Sequence, residues 1–166
     1  MKTVQVSPFF FEFESDFVNT LKCVPMIVRY KLDSCGIKLK LHEWAKFNLK
    51  DKESLAHLPC YTHHEIENYG ASVRTLVHKY FGYEASLLSA VNDSWNNLNE
   101  VPAEVQQKAQ EWNCTFLTLK NWIEMDTLQR FALVKLSRSG HEGKNFPIAL
   151  AEFKISNPDH SNSYLY

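Results

Sequence analysis

The decamer LKLHEWAKFN, residues 39–48, returns as LTLKNWIEMD at residues 117–126. Leu39, Leu41, Trp44 and Asn48 stand opposite Leu117, Leu119, Trp122 and Asp126, at a constant offset of 78. A Trp spaced from two leucines and followed four positions later by Asn or Asp reads as a short helix that buries an indole and hands the chain to a capped successor. Leu55 and Leu58 then match Leu133 and Leu136, while upstream Pro25 and Gly36 match Pro102 and Asn113 at an offset of 77, with one residue inserted. Each half therefore predicts a helix, a left-handed turn at Gly36 or Asn113, a short helix with a core Trp, and a longer helix. True duplication and convergence of capped helices both produce such a match. Either way the expected fold class is all-α: two related multi-helix halves, 25–82 and 102–153, packed as one compact domain over 1–166.

The flanking segments fill in that plan. Thr62-His63-His64-Glu65 is a capping box, and Ile66, Tyr69, Val73, Leu76, Val77, Tyr80 and Phe81 share a face before Gly82 stops the helix. Pro25 suits a first helical position, and Gly36 closes that helix. Val105, Ala109 and Trp112 place a third helix between Pro102 and Asn113. Asp126 caps a fourth, on which only Gln129, Arg130 and Lys135 interrupt the apolar run from Leu128 to Leu136, so it should be buried on most sides. A last helix follows Asn145, with Pro147 tolerated in its first turn. The alternation at Ile37, Leu39 and Leu41, and the run Phe9 to Phe13, allow a short β-hairpin or edge strands near the N-terminus. Residues 84–101 read as an acidic linker, because Glu84 to Gln107 carries four acids and no Lys or Arg. The polar segment 156–166 reads as a mobile tail.

Composition excludes several functions. With 166 residues, a formal charge of -1 and five glycines, the chain has neither the basic surplus of a dedicated nucleic-acid binder nor a glycine-rich phosphate loop. Glu12, Glu14 and Asp16 stand where a secretory leader would be apolar, and the longest stretch free of Asp, Glu, Lys and Arg is the eleven residues Ser54 to His64. A spanning helix needs about 20 apolar residues, so no membrane association is expected. Cys23, Cys35, Cys60 and Cys114 form no CxxC pair, and reduced thiols in a cytoplasmic protein are the expectation.

Three groups of residues are of the types that carry chemistry. Cys60, His63 and His64 could begin a metal site, but no partner spacing completes it and the capping box accounts for the segment, so no metal is expected. No GxSxG, SxxK or thiol-protease pattern occurs, and the acids are scattered, so no catalytic residue is expected. The segment 127–145 is different: Arg130, Lys135, Arg138 and Lys144 face one acid, Glu142, and the loop SRSGHEGKN leads into Asn145 at a helix start. Backbone N–H groups and the helix dipole there favour an anion. Arg130, Lys135, Arg138, His141, Lys144 and Asn145 are accordingly the candidate partner- or anion-binding residues; the plainer reading is a solvated loop whose cations pair with nearby acids.

Phe11-Glu12-Phe13-Glu14 with Asp16-Phe17, Cys23-Val24-Pro25-Met26 with Val28-Arg29, Lys31-Leu32-Asp33, Cys35-Gly36-Ile37-Lys38-Leu39, Leu128 to Leu133 with Lys135-Leu136-Ser137-Arg138, and His141-Glu142 with Asn145-Phe146 are the segments in which the chain resembles a known family. It is similar from about Phe9 to Phe153 to the nitrate reductase-associated proteins. The resemblance implies a cyanobacterial-type accessory protein of assimilatory nitrate reductase rather than an enzyme, with no cofactor of its own. Its implied partners are nitrate reductase or a molybdenum-cofactor delivery protein, and it carries over no ligand residues. The family commonly places proline after the position of Arg138; Ser139 stands here, which loosens the loop. The alternative is a helix-turn-helix-like nucleic-acid-binding regulator over Pro25 to Leu58, for which Lys46 and His42 beside Glu43 make a weak phosphate footprint.

Overall fold

Glu14 explains where the first helix starts. In the computed structural model, which describes residues 10–140 and 142–155, its buried carboxylate accepts hydrogen bonds from Phe11 N at 3.1 Å and Met26 N at 2.9 Å. Helix α1, Met26–Cys35, has Pro25 at its N-cap, one position earlier than expected. Proline has no side-chain oxygen to offer, so a negative charge twelve residues upstream serves the helix N-terminus instead. The same folding-back makes Glu12–Glu14 a 3-10 turn, which replaces the strand expected from Phe9 to Phe13. Phe9, His141 and the tail 156–166 lie outside the described residues.

The chain divides into two compact units, residues 1–92 and 93–166. In the N-terminal unit α1 ends at Gly36, whose φ of 72° lies in the left-handed region that glycine enters without a Cβ clash. Strand β1, Ile37–Lys38, pairs antiparallel with β2, Ser86–Leu87, in the register Ile37 to Leu87 and Lys38 to Ser86. Only the first part of the predicted alternation is strand, since Leu41 opens helix α2, Leu41–Lys46. Helix α3, Leu49–His57, starts where the Asn48 side chain accepts from Asp51 N at 2.8 Å. Helix α4, His63–Phe81, has the reciprocal capping box of Thr62 and Glu65 and stops at Gly82, φ 75°. The core is built on Val28, Trp44, Leu55, Tyr69, Val73 and Val77. Lys31, also buried, donates from Nζ to the carbonyls of Ala56 at 2.8 Å and Leu58 at 2.6 Å, satisfying the end of α3.

The C-terminal unit follows the same order. A 3-10 turn, Ser94–Asn96, sets Trp95 edge-on against Phe131 with ring centres 4.8 Å apart. Residues 84–101 thus carry β2 and a core aromatic as well as acids. Helix α5, Ala103–Glu111, buries Val105 and Ala109, whereas Trp112 is 45% exposed. The helix has already ended at Glu111, so Trp112 leaves the face predicted for it. Asn113 takes the left-handed turn with φ 53°. Helix α6, Leu119–Glu124, and helix α7, Thr127–Arg138, follow, and α7 buries six of its twelve residues. Helix α8, Asn145–Glu152, completes the described part.

One bond recurs in both units. Trp44 Nε1 donates to Leu21 O at 2.8 Å, and Trp122 Nε1 donates to Asn97 O at 2.9 Å. Each indole is fully buried and each acceptor precedes the first helix of its unit, so one polar contact fixes the entering chain to the short helix. The architecture is all-α with one small strand pair.

Candidate functional site

Asp126 begins the basic segment by accepting from Gln129 N at 2.8 Å, while Gln129 Oε1 accepts from Asp126 N at 3.0 Å. This fixes the register of α7, and the register decides which cations face outward. Arg130 turns inward. It is 7% exposed, and its guanidinium donates to Trp95 O at 2.8 Å, Trp122 O at 3.4 Å, Met125 O and Thr127 Oγ1. Burial lowers its pKa from the usual arginine value, partly opposed by Asp126. Arg130 therefore works as a clamp on main-chain carbonyls, a role that composition could not separate from anion binding.

Lys135 is half-buried, with Nζ 5.2 Å from the Phe131 ring centre and 5.7 Å from that of Trp95. Arg138 forms a fork with Glu104: Nε to Oε2 and Nη2 to Oε1, both 3.0 Å. Glu104 comes from α5, so this pair offsets part of the positive charge that the sequence concentrates in 127–145. Lys144 is exposed. Asn145 is not the helix cap: a 3-10 turn, Glu142–Lys144, runs directly into α8, Lys144 is already helical at φ -58° and ψ -23°, and no side chain caps the end. The free N–H groups expected at Asn145 are thus preceded by another turn of helix. His141 lies outside the described residues.

Lys108 joins this region without having been singled out. Its ammonium lies 3.5 Å, and the Leu136 carbonyl 4.0 Å, from where a Cβ on Gly143 would stand, and it pairs with Glu111 at 3.0 Å. The available signal was positional. Lys108 follows Lys31 by 77 and Leu136 follows Leu58 by 78, and Lys31 is the residue that caps Leu58. Arg138 and Lys144 are exposed and Lys135 is half-buried, while Arg138 and Lys108 are each paired with an acid, Glu104 and Glu111.

The remaining candidates sit elsewhere. Cys60 is buried, its thiol 3.7 Å from the Lys31 carbonyl, and burial pushes its pKa up to about 12, so it is an unreactive packing thiol. His63 pairs on the surface with Glu67 at 3.3 Å. Among the described residues no three His, Cys, Asp or Glu side chains converge as metal ligands, and no helix is long and apolar enough to cross a membrane. All four cysteines are free thiols. In the stretch read as a helix-turn-helix, α2 is six residues long and buries Glu43 and Trp44; Glu43 accepts from Lys40 N at 2.8 Å and Tyr83 Oη at 2.9 Å.

These features define a mostly helical protein with two capped helical units. The chain belongs to the family described as conserved nitrate reductase-associated protein, whose sequence model matches residues 10–153. Neither a curated protein nor a solved structure gives a match.

Proposed function

We propose that this protein is a non-catalytic cytoplasmic accessory factor that supports the maturation or activity of a molybdenum-dependent nitrate reductase by protein binding. Its direct partner is the reductase or the protein that delivers molybdenum cofactor to it. The observation that carries the reading is the family match over residues 10–153. In mechanism, the basic face presents Arg138 and Lys144, with Lys135 beside them and His141 and Asn145 next in the chain. It holds the partner in the state that accepts cofactor, which requires tighter binding to that state than to any other. Arg130 contributes by holding the scaffold under that face.

The test is maturation of nitrate reductase in cells with and without this chain, together with pull-down of purified reductase. Low activity without the chain, restored by re-expression, supports the accessory role; full activity in its absence overturns it. The double variant Arg138→Ala/Lys144→Ala should weaken capture by about tenfold at low salt and by less at high salt. Unchanged capture would exclude this face as the binding surface while leaving the accessory role standing.

A further inference from the structure

Residues 38–50 carry four lysines and one acid, Glu43. That acid is turned inward: its buried carboxylate accepts from Lys40 N at 2.8 Å and from Tyr83 Oη at 2.9 Å. Asp51, the next acid along the chain, accepts from Tyr80 Oη at 2.7 Å and pairs with Lys79 at 4.0 Å. Lys38, Lys40, Lys46 and Lys50 are exposed, and among the described residues none of them has an ion pair. The fold does not demand this surplus. At the offset of 78 that aligns the two Trp helices, Lys40, His42, Lys46 and Lys50 stand opposite Thr118, Lys120, Glu124 and Leu128. In the C-terminal unit Lys120 and Glu124 pair one turn apart at 3.9 Å, and Arg138 and Lys108 pair with Glu104 and Glu111. A surface of one sign without counter-charges costs stability through repulsion and attracts a partner of the opposite sign.

The outer side of α2 combines these lysines with aromatic rings. Lys40 Nζ lies 6.0 Å from the centre of the Tyr83 ring, Tyr83 stacks on Phe81 with ring centres 5.4 Å apart, and Phe81 meets His42 edge-on at 5.7 Å. His42 Nε2 is 3.4 Å from Tyr83 Oη. Lys46 follows His42 by one turn of α2, so the two exposed side chains share a face. Leu41, between Lys40 and His42, is 69% exposed. Glu84 follows Tyr83 and is exposed, but it forms no ion pair with these lysines. A bare leucine and an aromatic ring among cations suit a protein surface, which can cover the apolar groups while it neutralises the charge. A nucleic-acid backbone would use the few cations alone and would meet a chain of formal charge -1. We propose that Lys40, Leu41, His42 and Lys46, with Tyr83 beside them, form a docking surface for an acidic segment of a partner protein, whose carboxylates pair with Lys40 and Lys46 while an apolar side chain covers Leu41. This surface is separate from the segment 127–145 and acts independently of any role in nitrate reduction.

Titration of the full chain with a soluble Glu-rich peptide carrying one Leu, followed by amide shifts in NMR at low salt, tests this. Saturable shifts should centre on 40–46 and Tyr83, leave 135–145 in place, and weaken as salt is raised. Lys40→Glu/Lys46→Glu should loosen the peptide by at least about tenfold, and Lys40→Gln/Lys46→Gln by less, whereas Lys120→Glu on the counterpart helix should leave it unchanged. Both double variants keep the Lys40 N–H that meets Glu43, so an amide spectrum unaltered outside this face shows that the fold is intact. Absence of saturable shifts, shifts centred on 135–145, or equal affinity in wild type and the Glu variant overturns the proposal. So does tighter binding of a DNA duplex than of the peptide, since the surface then serves a nucleic acid.

Discussion

Lys52 and Arg130 occupy the same position, 78 residues apart, in the third helices of the two units, and both are buried. They do different things there. Lys52 lays its ammonium 5.5 Å from the centre of the Trp44 ring, whereas Arg130 donates to the carbonyls of Trp122 and Met125, which close α6, and to Trp95 O. A point charge on a flexible stem settles over a ring; a rigid fork of donors can satisfy several carbonyls at once. The comparison teaches that the shared scaffold provides a cation-binding place against the Trp helix, and that the residue type decides whether the cation decorates the core or organises it.

The largest expected effect tests what the units share. Trp44→Ala and Trp122→Ala should each cost about 3–5 kcal/mol, because each removes a fully buried indole and leaves Leu21 O or Asn97 O without its donor. Urea denaturation of both variants checks it; a loss below about 1 kcal/mol in either would break the equivalence of the two Trp locks. Next comes the contrast itself. Arg130→Met should cost about 2–4 kcal/mol by orphaning several carbonyls, and Lys52→Met about 1 kcal/mol or less. Equal losses would show that the two cations do the same work after all.

A smaller effect distinguishes the two left-handed turns. Gly36→Ala should destabilise by about 1 kcal/mol through backbone strain alone, since a Cβ there would meet nothing within 4 Å, while Asn113→Gly should stabilise by about 0.5 kcal/mol. Chevron or equilibrium unfolding would read both. The last effect is one of pH in the N-terminal unit. The Cys60 thiol is held neutral up to about pH 12 in the fold but ionises near 9 when unfolded, so its contribution is intact below pH 9 and is lost as pH rises from 9 to 12. Burial lowers the Lys31 pKa to about 8, which acts the other way: between pH 8 and 10.5 the unfolded lysine binds more proton than the folded one, and stability rises. The stability difference between wild type and Cys60→Ala should therefore narrow above pH 9, which unfolding at pH 8, 10 and 11 would measure.

Much of the helical plan was legible because caps and stops are local. Thr62 with Glu65, Asp126 with Gln129, Gly82 and Asn113 do in the fold what their residue types predict, since each depends only on main chain within a turn of itself. The strand partner of Ile37 was not legible. β2 lies 49 residues further on and contains no signal of its own beyond two residues of ordinary composition. The cap on α1 was hidden for the same reason, because a carboxylate at Glu14 reaches a helix that opens at Met26.

At the candidate site, the sequence by itself determined that positive charge gathers in 127–145 and that α7 begins at Asp126. Only tertiary structure decided which charges are available: Arg130 is drawn inside because the carbonyls of Trp95, Trp122 and Met125 converge on it, Arg138 is tied to Glu104, and Lys144 is left in solvent. The physical reason is range. Capping and helix periodicity act within four residues, whereas burying a charge depends on acceptors that the chain brings together from other elements.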